Sequence, residues 1–151
     1  MREEARAPSG VTIRPPGARD PAALGELMGQ LGYPAGADAM ERRLARLAED
    51  SRTIVLVAEA GSETVGVAMA QLSPAIHLDE PVVLLIALVV SDRVRGSGVG
   101  RQLVAAVEEW AQRSGARRVS VTSNLSRHGA HAFYEHLGCE HTGRRYAKIL
   151  G

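Results

Sequence analysis

The residues with the clearest chemical potential form a glycine-rich segment, Arg95-Gly96-Ser97-Gly98-Val99-Gly100-Arg101, which we call the glycine turn. An apolar run ends just before it, and an apolar pattern with helical spacing begins within it. Glycine lacks a Cβ, so the main chain can adopt positive φ and approach a ligand closely. The first N–H groups of a helix have no intrahelical acceptor and form a site for phosphate or pyrophosphate. Arg95 and Arg101 can add charge-assisted hydrogen bonds.

A strand-to-helix turn without a ligand is the alternative interpretation, which glycines alone do not exclude. Two other phosphate motifs fit poorly. A P-loop requires Gly-Lys-Ser/Thr, whereas Gly100 is followed by Arg101 and Gln102. A dinucleotide-binding fingerprint requires Gly-x-Gly-x-x-Gly and an acidic residue at the end of the next strand. Here the glycine spacing differs, and that strand ends at Ser123 and Asn124. The sequence therefore disfavours nucleotide hydrolysis and dinucleotide-dependent oxidation.

Hydrophobic periodicity predicts the elements around this turn in the order β, α, α, β, β, β, α, β, α, β, β. The first helix is expected to start at the N-cap Asp20 and close at Gly32, and the second to start at the N-cap Asp38. The third runs from the glycine turn to Ser114-Gly115, and the fourth covers residues 127–137. The predicted strands are Val11–Arg14, Thr53–Ala60, residues 64–72, Val82–Val90 and residues 117–123, with two short closing strands near residues 139–143 and 145–150.

The run Val82–Val90 is apolar without polar alternation, which is typical of a central strand covered on both faces. No internal repeat or linker divides the chain. We therefore predict an α/β (α+β) fold with a mixed, mostly antiparallel central sheet flanked by helices. Residues 11–151 are expected to form a single domain, and residues 1–10 a frayed tail.

Composition narrows the class of protein. Hydrophobic residues make up 45% and charged residues 23% of the 151, which is typical of a globular domain. The net charge of +1 and the 3% of aromatic residues disfavour a nucleic-acid partner. The longest apolar run is far shorter than the roughly 20 residues of a membrane helix. The charged N-terminus is unlike a secretory signal, and the single Cys139 fits a reducing compartment, so we expect a soluble, cytoplasmic protein without a membrane partner.

The spacing Arg95-x-x-Gly98-x-Gly100 after a predicted strand resembles the signature of the GNAT superfamily of acetyl-CoA-dependent N-acetyltransferases. A second block is similar to the family's Asn…Ala…Phe-Tyr…Gly block in residue type and spacing, and it comprises Asn124, Arg127, Ala130, Phe133, Tyr134 and Gly138. The predicted order of elements also matches the GNAT acyl-CoA N-acyltransferase fold. Two residues depart from the family pattern: Cys139, where an aromatic residue is common, and Asp92, where proline is frequent.

The resemblance implies how acetyl-CoA, the cosubstrate, is held. Three consecutive strand residues are expected to pair through their main chain with the pantetheine amides, as an added strand would: Leu88, Val89 and Val90. The N–H groups from Gly96 through Arg101 are expected to hold the pyrophosphate. Two side chains complete the set, with Asn124 bonding the pantetheine arm and Phe133 packing beneath the cofactor.

Tyr134 is the candidate general acid, because a phenol within hydrogen-bond reach of sulfur can protonate the leaving thiolate. The alternative is a half-buried helix residue whose hydroxyl meets any acceptor. An alkylammonium acceptor, with a pKa near ~10, must also lose a proton. Glu80 is the best-placed carboxylate for this general base, although with His77 and Asp79 it can equally belong to a solvated loop. The histidines and Cys139 lack a standard zinc spacing, so no metal is expected.

These inferences predict an enzyme in which a primary amine attacks acetyl-CoA directly in a ternary complex. The motifs do not specify the acceptor, which can be a small amine, an aminoglycoside or a protein amine. They also do not decide between an acetyl donor and a longer acyl donor. Acceptor specificity is expected in the two N-terminal helices and the loop 72–81. The alternative is a non-catalytic acyl-CoA-binding sensor, which intact Tyr134 and Asn124 disfavour. The closing strands can pair across a two-fold axis, which favours a homodimer.

Overall fold

The computed structural model describes residues 10–122, 128–143 and 146–151. One five-stranded sheet has the order β1-β2-β3-β4-β5, and its first three neighbouring pairs are antiparallel. The strands are β1 Val11–Arg14, β2 Thr53–Ala60, β3 Glu63–Ser73, β4 Val82–Val90 and β5 Val119–Val121. The helices are α1 Pro21–Gly29, α2 Ala37–Ala48, α3 Val99–Arg113 and α4 His128–His136, and a 3-10 turn covers Asp92–Val94. The predicted mixed, mostly antiparallel sheet flanked by helices is confirmed.

Helices cover both faces of the sheet. On one face, apolar residues of α1 and α2 pack against three valines in the middle strands, forming a cluster of Leu24, Leu27, Met40, Val57, Val67 and Val89. On the other face, α3 lies directly over Gly66 of β3. A Cβ at Gly66 would lie 3.1 Å from Leu103 Cδ1 and 3.3 Å from Val99 Cγ1. The glycine therefore allows α3, which follows the glycine turn, to pack closely on the sheet.

Asp20 precedes α1 as predicted, but its side chain makes no capping hydrogen bond to the helix. Its carboxylate is fully buried and accepts hydrogen bonds from Arg14 (2.8 Å), the Gly17 N–H and the Thr64 hydroxyl (2.6 Å). Burial by itself would raise the pKa of this carboxyl, but these hydrogen bonds and the positive charge of Arg14 lower it to about 2. The N-cap position of Asp20 is thus confirmed, but capping by its side chain is wrong, because Arg14, Gly17 and Thr64 hold the carboxylate instead.

Two helix boundaries also differ from the prediction. α1 ends at Gly29, and Gly32 lies in the following loop with a φ of 89°. α2 begins at Ala37 after the N-cap Gly36, so Asp38 lies in the first turn instead of capping it. A carboxylate there still favours the helix, because it faces the positive end of the helix dipole.

The expectation that β4 is covered on both faces is wrong. Val83 and Leu85 are buried, but the alternate side chains of Leu84 and Ile86 are 37% and 51% exposed. A β-bulge leaves Ile86 without a partner in β3, since Met69 pairs with Ala87 and the next residue pairs with Leu85. The cluster formed by α1 and α2 reaches β4 at Val89, near its end, and leaves the exposed pair uncovered.

The chain divides into two compact units, Met1–Ser120 and Val121–Gly151. In the second, α4 is followed by a turn in which the Cys139 N–H donates to the Tyr134 carbonyl at 3.0 Å and Gly138 has a φ of 89°. Neither residues 139–143 nor residues 146–151 form a strand, so the two predicted closing strands are not found in this described part of the chain. Strand propensity alone does not produce a strand where no neighbouring strand pairs with the segment.

Candidate active site

The glycine turn joins the end of β4 to the start of α3. The Ser91 N–H donates to the Val65 carbonyl of β3 at 2.8 Å. This is the last main-chain hydrogen bond between β3 and the chain that continues from β4. Gly96 and Gly98 then take φ values of 79° and 90°, a region that side chains disfavour. Gly98 is the N-cap of α3, so the helix starts within the turn as the sequence predicts.

Backbone N–H groups at the start of α3 are available to an anion. The Gln102 N–H donates to the Gly98 carbonyl at 3.1 Å. This is the first bond of α3 from a residue to the carbonyl four positions before it. The preceding amides of Val99, Gly100 and Arg101 therefore have no intrahelical acceptor, and no side chain caps them at Gly98. Three adjacent donors at the positive end of a helix suit a diphosphate.

Ser97 does not contribute its donors to this group. Its N–H donates to the Val94 carbonyl at 3.3 Å, and its hydroxyl donates to the same oxygen. These bonds brace the turn between the 3-10 segment and α3. The turn is thus braced by its own hydrogen bonds, which is the pre-organisation that a binding site needs.

Two arginines supply positive charge at the turn. The Arg95 guanidinium lies 2.8 Å from the Asp92 carboxylate and donates to the Gln30 side chain at 3.4 Å. Arg101 is exposed, and no ion pair of its side chain is found within the described part of the chain. Sequence reasoning missed Gln30, because its contact joins positions 65 residues apart and leaves no local signal.

Main-chain groups of β4 next to the turn point away from β3. Antiparallel residues bond alternately to either side, and Ser91 bonds to β3. The main chain of Val89 therefore faces β3, where it pairs with Val67, while Leu88 and Val90 point their N–H and C=O groups away from β3. On that far side β5 is only three residues long, and Arg118 just before it bonds to Val83 at the other end of β4.

The face of the sheet beneath α1 and α2 continues into an apolar surface. Leu84 and Ile86 are exposed there, because the helices end short of them. The C-terminal half of α1 lies near the glycine turn, since Glu26 and Gln30 line a cavity of about 550 Å³ together with Ser91. The helix is followed by an exposed aromatic side chain, Tyr33, which is 74% exposed.

Of the remaining predicted residues, Glu80, Phe133 and Tyr134 are described. Glu80 precedes β4, at the opposite end from the glycine turn, and its carboxylate lies 3.7 Å from the Arg117 guanidinium. Phe133 and Tyr134 are half-buried in α4, with ring centroids 5.4 Å apart and an interplanar angle of 67°. Asn124 lies outside the described residues. The structure therefore brings the turn and the β4 edge together and separates Glu80 from them.

The described residues contain neither a cluster of metal ligands nor a membrane-spanning helix. No group of three His, Cys, Asp or Glu side chains in residues 10–122, 128–143 and 146–151 is placed to hold a metal ion. No helix in the same ranges is long and apolar enough to cross a membrane.

The chain is similar to known acetyltransferases over nearly its whole length. The family model described as acetyltransferase (GNAT) family matches residues 22–139. The chain is 35% identical over 140 residues, 90% of each chain, to aminoglycoside N(6')-acetyltransferase type 1 of Stenotrophomonas maltophilia. It is 38% identical over 63 residues, 42% of this chain and 41% of the other, to aminoalkylphosphonate N-acetyltransferase of Salmonella typhimurium.

A solved structure shows the same fold. Aminoglycoside N-acetyltransferase AAC(6')-Iy in complex with CoA superposes with a TM-score of 0.80 at 24% identity, covering 93% of this chain and 94% of that one. The match of the family model includes β4, the glycine turn and the whole of α3. The chain belongs to the GNAT family of acetyltransferases, and it transfers the acetyl group of acetyl-CoA to an amine.

Proposed function

We propose that the acceptor is an aminoglycoside and that the acetylated group is its 6′-amine. The observation that carries this proposal is the 35% identity to an aminoglycoside N(6')-acetyltransferase over 90% of both chains. That length includes α1 and α2, the helices in which acceptor specificity is expected. A match confined to the cofactor motif would not favour one amine over another.

The surface beside β4 supports an acceptor of this kind. Leu84 and Ile86 form an exposed apolar surface, and Tyr33 adds an exposed aromatic ring after α1. Sugar rings present apolar C–H faces that pack on such side chains, while their amines and hydroxyls stay in water. We place the acceptor on this apolar surface, with its reactive amine directed towards the main-chain groups of β4 that point away from β3.

For the cosubstrate, we propose that the N–H groups of Val99, Gly100 and Arg101 bind the diphosphate. The main chain of Leu88 and Val90 pairs with the pantetheine arm, because those groups point away from β3. Asn124 and Phe133 retain the contacts that the family resemblance implies. Val89 lies between these two residues and does not itself pair with the pantetheine arm, because its main chain pairs with Val67 of β3.

The reaction we propose is direct transfer. The amine nitrogen attacks the thioester carbonyl, the tetrahedral intermediate collapses, and the carbon–sulfur bond breaks. Tyr134 donates its phenolic proton to the departing thiolate. The proton lost by the amine passes through water to a carboxylate, for which Glu80 is the candidate despite its distance along β4 from the turn.

A pair of acceptors that differ in one group tests the proposed acceptor. Neamine carries a 6′-amine, and its analogue with a 6′-hydroxyl matches it in every other group. We expect CoA release from acetyl-CoA with neamine and none with the analogue. Equal rates would place the acetyl group on another amine, and release only with an aminoalkylphosphonate would favour the second relative. Cofactor binding without release on any amine would favour the non-catalytic sensor.

Substituting Tyr134→Phe tests the general acid. The phenol is lost while the ring that packs against Phe133 remains. We expect kcat to fall by roughly 10²- to 10⁴-fold, with the Kd for acetyl-CoA unchanged. An unchanged kcat would assign the proton to another donor.

We further propose that residues 11–151 act as one catalytic domain, that the reaction takes place in the cytoplasm, where acetyl-CoA is available, and that the enzyme is a homodimer. Three apolar side chains near the C-terminus support the dimer, with Tyr146, Ile149 and Leu150 each more than four-fifths exposed. Sedimentation analysis of the full chain tests it. A monomer at micromolar concentration would remove the dimer from the proposal.

A further inference from the structure

The loop between α1 and α2, residues 31–36, is fastened to the end of α1. The N–H groups of Leu31 and Tyr33 both donate to the Met28 carbonyl at 3.0 Å. The Ala35 N–H reaches further back and donates to the Gly25 carbonyl at 3.4 Å. Leu31 and Ala35 also pack against the apolar cluster beneath the helices. The loop is therefore a docked segment with a defined position.

Gly25 is the position on which this docking depends. It is buried within α1, where glycine is less favourable than alanine. A Cβ at Gly25 would lie 2.0 Å from the Ala35 carbonyl oxygen and 3.1 Å from the Ala35 carbonyl carbon. These are main-chain atoms, so no change of rotamer can relieve the overlap. Any side chain at position 25 must displace the loop.

The docked loop carries the exposed Tyr33 shortly after the end of α1. Gln30, at the end of α1, contacts Arg95 of the glycine turn. Tyr33 follows three residues later and is 74% exposed, in contrast to the packed Leu31 and Ala35. The loop that carries Tyr33 thus follows directly on the end of α1 that contacts the glycine turn.

We propose that Gly25 is a positioning residue for acceptor binding: its missing side chain lets the Ala35 carbonyl seat against α1, and this seating holds Tyr33 where it contacts the acceptor. The inference rests on the acceptor surface proposed above. It assigns Tyr33 as a specificity-determining residue, whose phenol provides an apolar face for a sugar ring and a hydroxyl for its polar groups.

Gly25→Ala is the direct test, and Gly29→Ala is its matched control in the same helix. A Cβ at Gly29 would meet only Pro34 Cβ, at an ordinary 3.7 Å, so this variant leaves the loop in place. We expect the KM for neamine to rise roughly 10- to 100-fold in Gly25→Ala, because a misplaced positioning group loses that much. The Kd for acetyl-CoA should be unchanged in both variants. Equal KM values for the two variants would overturn the proposal.

Tyr33→Ala completes a double-mutant cycle. The side chain is exposed, so the substitution does not threaten folding. If Gly25 acts through Tyr33, then Tyr33→Ala raises the neamine KM in the parent and adds little in the Gly25→Ala background. Full additivity would show that Gly25 acts elsewhere. Should Gly25→Ala fold poorly, an unchanged neamine KM in Tyr33→Ala alone would overturn the proposal.

Amide hydrogen exchange provides a readout that needs no acceptor. In Gly25→Ala the hydrogen-bonded amides of Leu31, Gly32, Tyr33 and Ala35 should exchange faster than in the parent, and in Gly29→Ala they should not. Unchanged exchange in Gly25→Ala would contradict the positioning role. If the parent acetylates a different amine and not neamine, the acceptor proposal fails on its own, and the same KM comparison is then made with that amine.

Discussion

Replacing Asp20 with Asn removes a buried charge that fastens the start of α1 to β1 and β3. The amide keeps the size of the side chain and one oxygen acceptor. It loses the ionic contact with Arg14, whose guanidinium nitrogens lie 2.8 and 3.1 Å from the two carboxylate oxygens. Arg14 retains Glu59 as a partner at 2.6 Å, so the variant should fold with a measurable loss of stability.

The pKa of Asp20 gives the size of this loss. The fold lowers the carboxyl pKa from 3.8 to about 2, and one pKa unit corresponds to about 1.4 kcal/mol. The charged form therefore adds about 2 kcal/mol to the free energy of unfolding at neutral pH. Because the folded-state pKa is the lower one, this stabilisation is present above the unfolded-state value and is lost as the pH falls through 2. Roughly 1 kcal/mol of it is already lost at pH 3.

Urea unfolding measures this prediction, and the single tryptophan, Trp110 of α3, reports it by fluorescence. At pH 7 we expect Asp20→Asn to be less stable than the parent by about 2 kcal/mol. At pH 3 the difference should shrink by about half. Asp79→Asn is the control, because Asp79 is exposed in the loop before β4, where a surface carboxylate contributes little to stability. A difference that does not change with pH, or one no larger than in the control, would refute the role of the buried charge.

Three further substitutions test the site and its support. Gly98→Ala forces a side chain into a φ of 90° and should weaken acetyl-CoA binding about tenfold, whereas Gly61→Ala carries a similar strain at a φ of 63° and should leave the Kd measured by calorimetry unchanged. Arg101→Gln should weaken acetyl-CoA binding at low salt and flatten its dependence on ionic strength, and an unchanged salt dependence would remove Arg101 from the cofactor site. Gly66→Ala should destabilise the fold by about 1 to 3 kcal/mol through its contact with Leu103, and a urea midpoint equal to that of the parent would show that α3 can shift without cost.

Local patterns predicted the strands that lead to the site. Thr53–Ala60 and Val82–Val90 have the boundaries that the sequence indicates, because runs of strand-forming residues end at glycine, proline or polar residues. The helix start at the glycine turn was also predictable, since glycine marks both the break in the strand and the conformation of the N-cap. The β4 and glycine-turn part of the proposed cofactor site therefore lies in contiguous residues, for which local patterns suffice.

Contacts between distant residues were not predictable in the same way. Thr64, whose hydroxyl donates to Asp20, is 44 positions away, so the sequence suggested only a local capping role for this carboxylate. The exposure of Leu84 and Ile86 depends on where α1 and α2 end above the sheet, which the apolar run in β4 does not encode. The close approach of Gly25 to Ala35 similarly follows from how the loop folds back on the helix.

The most direct test of the site is a crystal structure of the full chain with CoA bound. The diphosphate oxygens should lie within hydrogen-bond distance of the backbone N–H groups of Val99, Gly100 and Arg101, and the pantetheine amides should pair with the main chain of Leu88 and Val90. A diphosphate bound away from the first turn of α3 would contradict the assignment of the glycine turn as the cofactor site.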